Sequence, residues 1–197
     1  MIRAFALRSL AKVSVVALLA LGCESGGVGD PCIPEDEYQA NFSGFAVNEI
    51  NTESKSFQCE TRICLANHFQ GRVSCPYGQT EQEAESGQAK CMIPGSDEPI
   101  TVAVAPQYVS RRADLTVYCS CRCDGPQANA RYCECPSGYK CAKLVDDIGV
   151  QKEGQLAGSY CIKEGTDFSP GFPRSTCNRE RGDCGHERGP FATDEGN

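Results

Sequence analysis

Alternating apolar and polar positions are concentrated in the second half of the chain, where they predict short β-strands. The two clearest runs are Ile100–Val104 and Leu115–Cys123, which are rich in β-branched or alternating apolar residues. Asp124–Pro126 is typical of a turn, and Arg131–Cys135 and Ser159–Lys163 have the composition of two further strands. We therefore expect a short antiparallel sheet between residues 100 and 163.

The first half of the chain shows no sustained hydrophobic period. From Cys32 to Cys91, turn-forming residues predict irregular loops with one short helical turn near Cys64. Gln79–Pro99 is polar and acidic, which predicts a surface loop fixed to the domain at Cys91. These patterns predict a domain over residues 32–163, and the change of pattern near residue 95 leaves open a division into two subdomains.

Residues 164–197 differ from the rest because Gly, Pro and charged residues dominate. This composition predicts a flexible carboxyl-terminal tail, in which Cys177 and Cys184 close one loop. The loop contains Arg181-Gly-Asp183, a tripeptide that also occurs in integrin ligands. In a Gly-rich loop we interpret it as a chance match.

The amino terminus has the pattern of an export signal. Arg3, Arg8 and Lys12 are followed by the uncharged run Val13–Leu21. A helix that spans a bilayer needs roughly 20 apolar residues, and this run is far shorter. The pattern therefore predicts a cleaved signal peptide over residues 1–22.

The signal ends in Ala20-Leu21-Gly22-Cys23, which resembles the lipobox of bacterial lipoproteins, with Ala20 where Leu is usual. The resemblance implies a diacylglycerol thioether on Cys23, cleavage before Cys23 and acylation of its new amino group. The protein would then be anchored in the membrane by fatty acyl chains such as palmitate. Two or more acyl chains give stable membrane attachment. The alternative is an ordinary secretory signal cut near Gly22. Residues 23–31 would form a lipidated, flexible tether, and Glu24 in place of Asp favours the outer over the inner membrane.

Cysteine is the most informative residue type. The chain has 15 cysteines, and a lipidated Cys23 leaves an even number, as expected for an exported chain whose thiols pair in an oxidising compartment. An ordinary secretory signal would leave one thiol without a partner. The disulfide candidates are Cys32, Cys59, Cys64, Cys75, Cys91, Cys119, Cys121, Cys123, Cys133, Cys135, Cys141, Cys161, Cys177 and Cys184.

Disulfides would also compensate for a thin core. Val, Ile, Leu and Phe make up about 15% of residues 23–197, a fraction typical of disordered chains. Each disulfide contributes about 2–4 kcal/mol, mainly by restricting the unfolded chain. The expected fold is therefore small and disulfide-rich, mainly β with irregular loops and a short antiparallel sheet.

The spacing of Cys119, Cys121 and Cys123 limits how they pair. In a strand, neighbours two apart are separated by about 6.6 Å at Cα, which is the upper limit for a disulfide. We therefore predict that these three cysteines bond elsewhere, either to Cys133, Cys135, Cys141 and Cys161 or to the first cysteine cluster.

The charge of the chain excludes some partners. All 26 acidic residues follow the signal, while three of the 19 basic residues lie within it, so residues 23–197 carry a net charge of −10. A field of this sign repels phosphate backbones and anionic headgroups. We expect no nucleic-acid binding and no membrane contact other than through the lipid.

Two segments of the chain show local resemblances to known proteins. Cys133-Glu-Cys-Pro-Ser-Gly-Tyr-Lys-Cys141 resembles the end of an EGF-like module, although Cys141 arrives early and the upstream spacing differs. The wider segment from Tyr118 to Ile162 resembles cysteine-rich lipoproteins of Gram-negative soil bacteria. That resemblance implies a location in the cell envelope and no particular activity.

A metal site is the main chemical alternative to disulfides. Cys119, Cys121 and Cys123, or Cys59, Cys64 and His68, present soft ligands suited to zinc or copper(I). However, the sequence contains no CxxC pair and two histidines, and oxidation would consume the thiols first. We expect disulfides, no metal and no cofactor.

No catalytic motif accompanies these features. The sequence lacks GxSxG, HExxH and GxxxxGK[ST]. We expect a non-enzymatic lipoprotein of the cell envelope, a structural or binding module whose partner is an envelope protein or glycan. The alternative is an exported protease inhibitor or enzyme that uses exposed loops such as residues 79–99.

Overall fold

Two antiparallel three-stranded sheets form the framework of the computed structural model, which describes residues 25–147 and 156–184. The first sheet has the order β1-β2-β3, with β1 at Ile50–Glu53, β2 at Ile63–Asn67 and β3 at Val117–Ser120. The second has the order β4-β6-β5, with β4 at Arg122–Asp124, β5 at Tyr139–Val145 and β6 at Gly158–Lys163. The prediction of a small, mainly β, disulfide-rich fold is confirmed.

Helical structure in the described residues is short. Two 3-10 helices lie at Glu35–Tyr38 and Val109–Arg111, and two α-helices, α1 and α2, lie at Glu81–Glu85 and Ala113–Thr116. Within the described part of the chain, no helix has the length and apolar character needed to cross a bilayer.

The predicted strands were partly right. Ser159–Lys163 is confirmed as most of β6. The run Leu115–Cys123 is divided, because α2 ends at Thr116 and the chain then passes from the first sheet to the second at Cys121. Each of the two sheets therefore receives one short strand from this run.

Two strand predictions were wrong. Ile100–Val104 forms only an isolated bridge between Gln79 and Val104, and its alternation reflects burial of Ile100 and Val104 in a small apolar cluster. Arg131–Cys135 is irregular, because disulfides rather than a strand ladder fix Cys133 and Cys135.

The predicted helical turn near Cys64 was also wrong. Cys64 lies in β2, opposite Glu53 of β1 and Cys119 of β3. Its partner in β3 is more than fifty residues away in the sequence, so the local pattern could not reveal the strand. The β2–β3 pairing and the Cys59–Cys119 disulfide both join residues on either side of position 95.

The core consists of three apolar clusters. The largest is centred on Phe45, Phe69, Val73 and the cysteines around them. A second cluster joins the two sheets, since Leu65 and Tyr118 of the first pack against Tyr160 and Ile162 of the second. The third lies under residues 79–104.

Residues 164–184, expected to belong to a flexible tail, pack against the domain. The amide of Val109 donates to the carbonyl of Ser175 at 2.8 Å, and the amide of Cys177 donates to the carbonyl of Gln107 at 2.8 Å. Phe168 stacks on His68 with ring centroids 3.9 Å apart. Contacts with distant residues, which composition does not report, order this segment; positions 185–197 lie outside the described residues.

Candidate functional site

Seven disulfides join all fourteen cysteines from Cys32 to Cys184. The pairs are Cys32–Cys64, Cys59–Cys119, Cys75–Cys91, Cys121–Cys133, Cys123–Cys141, Cys135–Cys161 and Cys177–Cys184. Cys23 is the remaining cysteine of the chain, and it lies outside the described residues.

The prediction for the Cys119, Cys121 and Cys123 run is confirmed. Cys119 bonds back to Cys59 of the first cluster, with a Cα–Cα distance of 5.3 Å. Cys121 and Cys123 bond forward to Cys133 and Cys141, with Cα–Cα distances of 6.3 and 5.8 Å. The three neighbouring cysteines therefore tie together three separate segments.

Sulfur atoms are crowded in the second sheet. The Sγ of Cys161 lies 3.6 Å from that of Cys121 and 3.8 Å from that of Cys133, so two disulfides are in contact. The described residues contain four groups of potential metal ligands, and within each group the ligand atoms lie within 4.8 Å of one another. Every cysteine in these groups belongs to a disulfide. A disulfide sulfur is not a thiolate, so these groups are cross-links in the oxidised protein and offer no thiolate ligand.

His68 is not grouped with Cys59 and Cys64 as a ligand set. Its Nδ1 lies 3.1 Å from the carbonyl oxygen of Val47, and its ring stacks on Phe168. Desolvation by burial lowers the pKa of His68 below its ordinary value. The guanidinium of Arg111 donates to the carbonyls of His68 at 2.6 Å and Asn67 at 2.7 Å. These hydrogen bonds and the ring stacking fix the backbone at the end of β2.

A buried ion pair organises the segment between residues 34 and 45. The carboxylate of Glu37 accepts hydrogen bonds from the amides of Val73, at 2.5 Å, and Ser74, at 3.0 Å. Arg72 donates to the carbonyls of Glu37 and Phe42, the latter at 2.7 Å. Burial raises the pKa of Glu37, against the opposing effects of these hydrogen bonds and of Arg72. Both side chains are fully buried, so their role is structural.

Residues 79–99 form the exposed loop that the sequence predicted. The Cys75–Cys91 disulfide closes its base, and α1 begins with a capping box between Thr80 and Glu83. A tight turn follows, in which the amide of Ile93 donates to the carbonyl of Glu98 at 2.8 Å. Residues 95–99 of this turn are exposed.

Gln79 fixes this loop to the domain. Its buried side-chain amide donates to the carbonyls of Ile100 at 2.9 Å and Val102 at 2.8 Å. Its Oε1 accepts from the amides of Lys90 and Cys91, both at 3.0 Å. The nitrogen and the oxygen of the Gln79 side-chain amide thus both bind backbone groups and hold the two ends of the loop together. The polar sequence around Gln79 did not indicate this role.

Residues 26–30, which we call the Gly26 segment, lie on the domain. The amide of Gly26 donates to the carbonyl of Gln58 at 2.8 Å, and the amide of Glu60 donates back to Gly26 at 2.9 Å. At the other end, Gly29 and Asp30 exchange two hydrogen bonds of 2.8 Å with Cys119. The predicted flexible tether over residues 23–31 is therefore bound to the domain from residue 26 onward.

Glycines make this close approach feasible. Gly29 has a φ of 101°, a region that favours glycine, and a methyl group there would overlap the hydroxyl of Tyr139. A methyl group on Gly26 would lie 2.8 Å from the Cβ of Asp30. The glycines that suggested flexibility in the sequence instead permit close packing.

The loop between β1 and β2, residues 54–62, carries the most exposed large apolar side chain of the described residues. Phe57 is 80% exposed, and the guanidinium carbon of Arg62 lies 4.1 Å from its ring centroid. We call this segment the Phe57 loop. The amide of Ser56 donates to the carbonyl of Arg62 at 3.0 Å, and the amide of Arg62 donates to that of Cys59 at 2.9 Å. The loop is thus closed on itself and bonded through Cys59 to β3.

The integrin-type tripeptide is held in a closed form. The Nε of Arg181 lies 2.7 Å from Oδ2 of Asp183, and Oδ1 of Asp183 accepts from the amide of Asn178 at 2.7 Å. The two charged groups of the tripeptide therefore bind each other within the Cys177–Cys184 loop.

Comparisons with protein-family models, curated proteins and solved structures found no match for this chain. The functional argument therefore depends on the residues and their geometry.

Proposed function

We propose that this protein is a bacterial lipoprotein, anchored to the cell envelope through acyl chains on Cys23, whose disulfide-held domain serves as a structural or binding module. The observation that carries the proposal is the cysteine pairing: the fourteen cysteines after Cys23 are all in disulfides, and Cys23 follows directly on the apolar run of the signal. An odd cysteine at that position fits the lipid acceptor. Glu24 after it favours the outer membrane.

Metabolic labelling with palmitate tests the anchor. Wild-type protein should incorporate label, and Cys23→Ala should not. The matched control is the double variant Cys177→Ala/Cys184→Ala, which also removes cysteines and should label normally. Equal labelling of the wild type and Cys23→Ala would contradict the lipid assignment.

The state of the other cysteines gives a second test. Native protein should show no reactive thiol when titrated under denaturing conditions without reductant, because an oxidising compartment completes the seven pairs. Two or more reactive thiols per chain would contradict export into such a compartment and would favour a thiolate metal site.

The loop of residues 79–99 is the surface that we assign to partner binding. It carries Glu81, Glu85, Asp97 and Glu98 on exposed positions, and its base is fixed by Gln79 and the Cys75–Cys91 disulfide. A fixed loop loses little conformational entropy on binding, and its charge suits a cationic envelope protein or glycan.

Cross-linking in intact cells tests this assignment. The variant with Glu81→Gln, Glu85→Gln, Asp97→Asn and Glu98→Gln should lose the cross-linked partner recovered with wild type. A control with Glu164→Gln and Asp167→Asn, which removes exposed acids elsewhere, should retain it. Loss in both variants would contradict a role for this loop.

The same fixed, exposed turn favours one further candidate function, a protease inhibitor. An inhibitor forms a stoichiometric complex with a protease, and the complex should be abolished when residues 94–98 are replaced by a Gly/Ser sequence. Turnover of a substrate without such a complex would instead indicate an enzyme.

A further inference from the structure

The Gly26 segment leaves only a short connection between the folded domain and the proposed lipid. Gly26 is hydrogen-bonded to Gln58 and Glu60, so the folded domain begins three residues after Cys23. Because an extended chain spans at most about 3.4 Å per residue, the three-residue connection spans no more than about 10 Å. The headgroup layers together add about 10–15 Å to a hydrocarbon core of about 30 Å, so each layer is about 5–7 Å thick. The Gly26 edge of the domain must therefore lie within a few Å of the headgroups.

The element at that edge is the Phe57 loop. Gly26 pairs with the residues that flank Cys59, and the carbonyl that accepts its hydrogen bond belongs to Gln58, the residue after Phe57. The backbone hydrogen bonds fix the loop to Gly26, and the Cys59–Cys119 disulfide fixes it to β3.

The chemistry of the loop fits a bilayer interface. Phe57 is 80% exposed, and burial of an aromatic ring removes a large apolar area from water. Lys55 and Arg62 are exposed on the same loop beside one acid, Glu60, so the loop has a net positive charge in a chain that is strongly acidic. Aromatic rings flanked by basic side chains are the residues enriched where proteins meet headgroups.

We propose that the Phe57 loop is a membrane-contact surface that docks on the lipid bilayer and sets the orientation of the domain. This inference rests on the proposed lipid anchor at Cys23. In this arrangement Phe57 enters the interfacial layer, and Lys55 and Arg62 face lipid phosphates. The bilayer thus contacts the protein through this locally cationic loop as well as through the acyl chains, in contrast to the expectation from the net charge of −10 that the lipid is the only membrane contact.

Tryptophan fluorescence tests the proposal directly, because the chain contains no Trp. Lipidated Phe57→Trp protein is reconstituted into phosphatidylethanolamine/phosphatidylglycerol vesicles with or without brominated acyl chains. The emission should shift to shorter wavelength on reconstitution and lose intensity in the brominated vesicles. Met92→Trp is the matched control, since Met92 is 39% exposed on the loop of residues 79–99, and its emission should not change with bromination.

The outcomes separate docking from anchoring. If the protein incorporates palmitate and floats with vesicles but Phe57→Trp is not quenched, docking is overturned and the anchor stands. Equal quenching at both positions would overturn a defined orientation. If the chain neither labels nor floats, the anchor fails and the docking inference fails with it. A thiol titration of each variant verifies that the disulfides remain intact.

Discussion

The two sheets of this protein sit in regions that are stabilised in different ways. The first region, residues 26–120, contains two of the apolar clusters and a fully buried Glu37–Arg72 pair. In the second region, residues 121–163, neither β4 nor β5 has a buried residue, and three disulfides are formed among its own six cysteines. The first region also has three internal disulfides, so the regions differ in the density of cross-links: the second region carries the same number in less than half the length and has the smaller share of buried apolar side chains.

This difference shows how a chain with few large apolar residues can fold. The limited supply of Phe, Val and Ile is concentrated in one region, where it forms a core around β2 and β3. The other region buries few apolar side chains outside β6, whose Tyr160 and Ile162 pack against the first sheet, so restriction of its unfolded state by disulfides contributes a larger share of its stability. The two regions should therefore respond differently to the loss of a buried charge and to the loss of a disulfide.

The largest effect is expected for Arg72→Met. This change leaves the Glu37 carboxylate buried without its cationic neighbour and removes donors to three carbonyl groups. Breaking a buried ion pair costs about 3–5 kcal/mol. Urea denaturation measures the free energy of unfolding, and Arg131→Met, at an exposed position of the second region, should change it little. Similar losses in the two variants would contradict the contrast between regions.

A smaller effect is expected when the Cys135–Cys161 disulfide is removed by Cys135→Ser and Cys161→Ala. Its sequence separation of 26 residues corresponds to about 3.5 kcal/mol of chain entropy. Hydrogen exchange should accelerate across residues 121–163 while residues 63–75 keep their protection. Removal of Cys177–Cys184, with a separation of 7, should cost about 2.4 kcal/mol and leave the second sheet protected. Uniform loss of protection would show that the two regions unfold as one.

Gly29→Ala should perturb the joint between the regions, because Gly29 contacts Cys119 of the first and Tyr139 of the second. The change adds a steric overlap to an unfavourable positive φ, and we expect a loss of about 2–3 kcal/mol. Gly87→Ala is the control, since its φ is 71° and nothing lies within 4 Å of the added methyl. It should cost only the backbone term, about 1–2 kcal/mol. Equal thermal shifts would mean that the packing against Tyr139 contributes nothing.

The smallest effect is a pH dependence from His68. Burial lowers the pKa of His68 in the folded state, so the unfolded chain binds the proton more readily. The contribution of His68 to the free energy of unfolding is therefore fully present above the ordinary pKa of about 6.5 and is lost as the pH falls below it. His68→Asn, which tolerates the positive φ of 51°, should flatten this decline between pH 7 and pH 5. The raised pKa of Glu37 has the opposite sign, since acidification favours its folded, protonated form, so only the difference between wild type and variant is diagnostic.

The fold class could be predicted from the composition and the number of cysteines. The segments that pair with Cys119, Cys121 and Cys123 could be predicted because strand geometry limits which cysteines can meet. It did not carry β2, since Cys64 and Cys119 are neighbours only in the folded sheet. The glycines of residues 26–29 have the composition of a tether, and their packing role depends on Cys119 and Tyr139, about ninety and more than a hundred residues away. Phe57 gave no signal, because a single apolar residue between polar neighbours does not reveal whether it is buried.

The contact between two disulfides at Cys161 has a consequence for oxidative folding. Six cysteines allow 15 pairings, and Cys121, Cys133 and Cys161 bring their sulfurs within 3.8 Å in the native arrangement. A thiolate formed at any of these positions is within reach of a neighbouring disulfide without large movement of the backbone, so we expect native and scrambled isomers to interconvert when a small thiol is present. Production of a single species therefore requires a disulfide isomerase or a glutathione redox buffer during folding, and acid quenching before the thiol is removed.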